Sequence, residues 1–217
     1  MKSELLHKWA ENNDGKIINI KNVLITEEYY CPDCKEKFIF RKGKIRQQHF
    51  AHNSFSPSCT GEGYLHKTFK KILLQEISNC INNKMAMHII NSYKCCSAQL
   101  IVNLLTKNCE VKDEYNMGKC RPDIALLEED GTVYAVFEIV VTHKPEDNVL
   151  NYYKEKNIIV IQIELNSESN LDNINEIFNK HSKIIVKPDY LEACINKNCI
   201  TKRIGRNRRL SRNSRIF

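Results

Sequence analysis

The sequence predicts an α/β fold, a mixed-sheet core flanked by helices and preceded by a small module marked by cysteine and histidine. Three observations predict it. Apolar residues recur at helical spacing over residues 64–81, and from residue 86 onward the apolar runs become short and strand-like. Residues 31–60 carry Cys31, Cys34, His49, His52 and Cys59 but few large apolar residues, so that segment needs a staple in place of a core. With 217 residues, 42% of them hydrophobic and 27% charged, the chain suits one domain of ordinary size with an appendage. The divisions fall at 1–60, 61–201 and 202–217.

Taken in order, Leu5 to Ala10 reads as a helical start, and the short apolar runs IINI and NVLIT read as two strands separated by polar turns. Leu65, Phe69, Ile72, Leu73, Ile77 and Ile81 make one apolar stripe, which predicts an amphipathic helix over 64–81. Strands are expected at 86–90, 99–106, 121–127 and 133–141, the last two joined into a hairpin by Glu129-Asp130-Gly131. Pro145 suits the first turn of a helix running to Lys156, where a missing N–H costs nothing. Residues 158–165 form an almost unbroken apolar run of the buried-strand type, so the connection from Val141 is a crossover, expected to be right-handed. A shorter helix over 172–180, the strand KIIV and a break at Pro188 complete the core.

Charge is unevenly placed. The formal net charge is +7, and residues 202–217 hold Lys202, Arg203, Arg206, Arg208, Arg209, Arg212 and Arg215 with no acid, leaving 26 charges of each sign in the rest. That segment predicts a solvated, disordered arm able to attract phosphate without reading sequence, or else a targeting or solubility tail. The opening MKSELLHKWAENNDG has acids where a secretory signal has an apolar run, and no stretch of the chain is apolar for membrane length. The expectation is a soluble intracellular chain without membrane contact, cytoplasmic or, in a eukaryotic host, nuclear. In that compartment ten cysteines read as thiols or metal ligands before disulfides.

Cys31-Pro32-Asp33-Cys34 is followed, after fourteen intervening residues, by His49-Phe50-Ala51-His52 and then by Cys59. A CxxC turn sets two thiolates at about the separation a tetrahedral Zn²⁺ needs, and a second ligand pair closes the site. Cys31 and Cys34 are the firm pair, with His52 and Cys59 favoured to complete it. His49 is the alternative ligand, or a side chain for a carboxylate or phosphate. Four closed ligands leave no position for a substrate, which makes the zinc structural. Cys95-Cys96 and Cys194-x4-Cys199 offer thiolates for a second zinc, with Cys109 as an alternative partner, against the reading as unbound thiols; Cys80 fits an apolar helix face as a small hydrophobe.

Tyr134-Ala135-Val136-Phe137-Glu138-Ile139-Val140-Val141 is a central-strand sequence interrupted by one acid. An unpaired buried carboxylate is costly, so Glu138 requires protonation, a basic partner or a metal. Across the hairpin, Arg121-Pro122-Asp123 brings a second acid to the start of the neighbouring strand. Two such carboxylates suit Mg²⁺ or Mn²⁺, ions able to activate water at a phosphate; a buried Glu138–Arg121 pair is the alternative. Glu62, His66 and Lys70, spaced by four, share a helix face, for which a solvated surface is the plainer reading.

These residues carry a resemblance. Glu62 on a helix, Pro122-Asp123 and then Glu138-Ile139-Val140 resemble the PD-(D/E)XK nuclease superfamily. The order CxxC, HFAH, Cys59, GExxxH, RPDI and EIVVTH is similar, more narrowly, to the competence protein CoiA-like group, which joins a small zinc module to such a fold; it covers roughly Cys31 to Leu165. The resemblance implies a restriction-endonuclease-like core and a metal-dependent nuclease cleaving DNA held in the cleft and on the basic tail. Glu62 would be the helix acid, and Asp123 and Glu138 the ligands of Mg²⁺ or Mn²⁺. Val140 stands where the pattern has lysine, and Lys144, His143 or Lys70 would have to supply that function. Two other readings stay open: a nuclease-fold protein that binds nucleic acid without cutting it, and a zinc-stabilised adaptor.

Overall fold

A computed structural model describes residues 7–43, 47–53, 59–93, 99–106 and 108–187. The chain opens with β1 (Trp9–Asn12), which pairs antiparallel with β2 (Ile17–Asn19) and with β3 (Tyr29–Tyr30). Asn12 builds the first turn: its Oδ1 accepts the N–H groups of Asp14 (3.1 Å) and Lys16 (2.9 Å), and Gly15 sits at φ +76°, a region glycine enters without a Cβ clash. The helical start expected up to Ala10 is therefore corrected, since this turn folds Trp9 and Ala10 back as a strand. NVLIT is not a strand either. Asn19 caps a single 3₁₀ turn, Ile20–Asn22, that redirects the chain and leaves Leu24 and Ile25 exposed. A hairpin of β4 (Phe38–Arg41) and β5 (His49–His52) follows, and Ala10, Ile20, Tyr29, Phe38 and Phe50 form a small core with Tyr64 of the first helix.

That helix, α1 (Gly61–Asn82), starts where Thr60 places its hydroxyl on the Gly63 N–H at 2.8 Å. Its stripe of Leu65, Phe69, Leu73 and Ile77 packs in the main core. β6 (His88–Ser92) and β7 (Gln99–Asn103), near the strands expected at 86–90 and 99–106, pair with each other as a two-stranded ribbon outside the main sheet. The main sheet is made of β8 (Glu110–Asp113), β9 (Ile124–Leu127), β10 (Val133–Val140), β11 (Ile159–Glu164) and β12 (Ser182–Val186), in the order β12-β11-β10-β9-β8. β10 and β11 are parallel and the other pairs antiparallel, so the sheet is mixed.

Alternation along β10 divides its neighbours. Phe137 and Ile139 join the core of α1, whereas Val136 packs with Tyr153 of α2 (Asp147–Glu155), the helix of the β10–β11 crossover. Three expected boundaries shift. The strand at 121–127 begins only at Ile124, leaving Pro122 and Asp123 in the loop before it. The helix after Pro145 begins at Asp147 with Glu146 at its cap position, so the proline lies just outside. The helix expected over 172–180 begins two residues later as α3 (Ile174–Lys180), after a separate 3₁₀ turn, Glu168–Asp172, because Asn173 caps afresh by accepting the Glu176 N–H at 3.2 Å. Among the described residues no helix is long and apolar enough to cross a membrane. Cys95, Cys96, Cys194, Cys199 and the basic segment 202–217 lie outside the described residues.

Candidate functional site

The knuckle Cys31-Pro32-Asp33-Cys34 closes through the Lys35 N–H, which donates to the Cys31 carbonyl at 3.0 Å, with Lys35 at φ +64°. The Cys31 N–H donates to Glu36 O at 2.8 Å. β5 brings His52 alongside, and the chain entering α1 brings Cys59. One ligand atom from each of Cys31, Cys34, His52 and Cys59 lies within 4.8 Å of all the others, and this set is the group of three or more candidate ligands found among the described residues. Cys31 Sγ is 3.6 Å from Cys59 Sγ, and Cys34 Sγ is 3.2 Å from His52 Nε2. Ligands at tetrahedral Zn–S and Zn–N distances stand roughly 3.4–3.8 Å apart. The four residues therefore suit zinc in identity, and their ligand atoms converge to near that spacing.

The electrostatics agree. Burial pushes the Cys31 thiol up to about 11, although the amides of Cys34 and Asp33 donate to its sulfur. Burial, then the neighbouring Cys31, raises Cys59 as well. A cation relieves that penalty, because thiol ligands bind as thiolates. His49 is not part of the group, which corrects the alternative: its Nδ1 lies 2.9 Å from Gln47 O and its Nε2 is buried without a hydrogen-bond partner, so it reaches neither metal nor an anion in solution. His7 supports the module in its stead. Burial lowers it to about 4, and its neutral ring packs on Tyr64 (3.9 Å between centroids) and Phe38 (5.4 Å), edge-on to His52 (5.9 Å).

A second group of polar residues gathers where α1, β9 and β10 meet. Asp123, just before β9, accepts the Ile139 N–H through Oδ2 at 2.8 Å, and His66 Nε2 of α1 stands 3.1 Å from its Oδ1. Phe137 pairs with Ile124, so the next step along the antiparallel register sets Asp123 opposite Glu138. Glu138 does not pair with Arg121, whose partner is Glu114 at 3.7 Å; it accepts the Tyr153 hydroxyl at 2.7 Å. Burial raises the Glu138 carboxyl to about 7, the Tyr153 hydroxyl works against the rise, and the Asp123 charge adds to it. Asp123 and Glu138 are not in the converging ligand group, since one is held by His66 and the Ile139 amide and the other is turned to Tyr153.

The remaining residues divide around this pair. Glu62, in the first turn of α1, accepts from the Thr142 hydroxyl and lies 3.3 Å from His143 Nδ1, and these contacts hold its carboxyl below the usual range, the Thr142 hydrogen bond first. Lys70 pairs with Glu114, whose N–H donates to Asp123 O at 3.1 Å. Lys144 instead stands 3.9 Å from Glu164, at the end of β11. Val140 is 5% exposed. Among the other cysteines, Cys80 and Cys109 are buried in the main core.

Residues 12–61 match the family model of the competence protein CoiA N-terminal domain. The match runs from the end of β1 to the first residue of α1 and contains all four converging ligands, while the main sheet and its acids lie beyond it. No curated protein and no solved structure matches the chain significantly. Sequence reasoning passed over three contacts of the site: Tyr153 on Glu138, His7 behind His52, and His66 on Asp123. Tyr153 carried a faint signal, being a polar-tipped aromatic that follows Val149 and Leu150 at helical spacing.

Proposed function

We propose that the chain is a metal-dependent nuclease of restriction-endonuclease-like fold, with a structural zinc in the Cys31, Cys34, His52 and Cys59 module. The observation that carries the reading is the proximity of Asp123, in the loop that leads into β9, to Glu138 on β10, with the Ile139 amide and His66 on the first and burial holding the second up to about 7. Two carboxylates so placed suit a hard divalent cation, Mg²⁺ or Mn²⁺, which would supply charge offset at a phosphodiester and an activated water. The chain's own part is positional. The Ile139 amide and His66 fix the Asp123 carboxylate, Tyr153 fixes one oxygen of Glu138, and Thr142 and His143 fix Glu62. His143 contacts Glu62 at 3.3 Å whereas Lys144 lies near Glu164, which favours His143 over Lys144 as the group that would assist the water. DNA would meet this edge of the sheet and the basic segment 202–217. The test is cleavage of labelled DNA in Mg²⁺ or Mn²⁺: the wild type cuts and Asp123→Ala does not, whereas equal cutting by both sinks the assignment.

The buried Val140 favours a second reading, a protein of this fold that binds nucleic acid without cutting it. It predicts salt-sensitive DNA binding, no cation-dependent cleavage and an affinity indifferent to Glu138→Gln.

A further inference from the structure

Asp33 lies between the two cysteines of the knuckle, yet its carboxylate serves α1. Its Oδ2 accepts the Thr60 N–H at 3.1 Å, its Oδ1 pairs with Lys67 Nζ at 2.9 Å, and its carbonyl accepts from the same ammonium at 3.4 Å. The side chain is 8% exposed, so it has little room to swing. Gly63 shows how close the approach is: a Cβ there would stand 2.7 Å from Asp33 Oδ2 and 2.8 Å from Oδ1. Glycine is a poor helix former, and here its missing side chain makes the space the carboxylate occupies. A carboxylate at a helix N-terminus is also favoured by the dipole. Glu62 falls between the residues Asp33 grips, and His66 immediately precedes Lys67.

We propose that Asp33 is a positioning residue, through which the metal-loaded knuckle holds the first two turns of α1 and sets where Glu62 and His66 stand. The cysteine cluster then does more than staple its own module. Loss of the metal frees the turn that carries Asp33 and loosens the end of the helix that faces Asp123. In what it says of the acidic pair, the inference rests on the nuclease reading above.

The experiment compares amide hydrogen exchange in the zinc-loaded full chain, in the same chain stripped by a zinc chelator, and in zinc-loaded Asp33→Ala, with zinc content measured for each. The amides of residues 64–68 are expected to exchange about fivefold faster or more in the last two samples, while residues 73–81 keep their protection and Asp33→Ala keeps its zinc. Asp33→Asn, still able to accept from Thr60, recovers most of the protection. Mn²⁺ affinity, read by electron paramagnetic resonance, should fall about tenfold in Asp33→Ala. Should that variant fail to fold, Lys67→Met removes the helix-side half of the contact and is expected to give the same local acceleration. Unchanged exchange at residues 64–68, or acceleration spread evenly over the chain, overturns the proposal. If the wild type takes up no Mn²⁺, the nuclease reading fails, and the exchange pattern alone decides the coupling.

Discussion

Replacing Glu138 by glutamine tests how the buried carboxylate is held. Its folded value is about 7 against a reference of 4.5, with burial as the main cause. A raised acid pKa means that the native state binds more protons than the unfolded state between those values, so stability falls as pH rises through the window. Glutamine keeps an oxygen for the Tyr153 hydroxyl and carries no charge at any pH. The shift corresponds to about 3 kcal/mol in full, and its pH dependence puts the advantage of Glu138→Gln near 1 kcal/mol at pH 5 and near 3 kcal/mol at pH 8. Urea unfolding of both zinc-loaded proteins at the two pH values, without other divalent cations, measures the difference. An advantage that does not grow with pH, or a variant less stable at pH 8, refutes the assignment of burial as the dominant influence on this carboxyl.

Two further outcomes follow, one from the structure and one from the sequence. Cys34→Ser breaks the 3.2 Å contact with His52 and removes a thiolate, so zinc content should fall from about one ion per chain to near none, read by a colorimetric zinc assay on the unfolded protein; full retention of zinc would contradict the ligand set. Deletion of residues 202–217 removes seven positive charges, and the salt slope of DNA binding should flatten by at most about 6 in a log–log plot. Unchanged affinity and slope in a fluorescence-anisotropy titration would assign the segment to another role.

The cysteine and histidine cluster was legible because its chemistry is written in local spacing: CxxC makes one turn, and His52 ends a hairpin strand that returns beside it. α1 was legible because its apolar stripe keeps a helical period over the whole element. β8 was not, since Glu110, Lys112 and Asp113 hide any alternation and an edge strand tolerates them. Trp9 and Ala10 looked helical because the residues before them dominate the window, while the NNDG turn that makes them a strand lies beyond it. At the acidic site, Glu138 announced itself as the one acid in an apolar run. Its partner Tyr153 and the His66–Asp123 contact are long-range, set by how α1 and α2 dock on the sheet, and no local pattern encodes them. No local pattern marks Gly63 as the residue that makes room for the Asp33 carboxylate.

The central claim is that Asp123 and Glu138 together receive a divalent cation. A crystal of the zinc-loaded chain soaked in Mn²⁺ and measured at the manganese edge tests it most directly. The account predicts one anomalous peak contacting both carboxylates, with Glu138 turned from Tyr153 or sharing an oxygen with it, and no such peak in Asp123→Ala. Manganese elsewhere on the chain, or an acidic pair that stays metal-free in the soaked wild type, contradicts it.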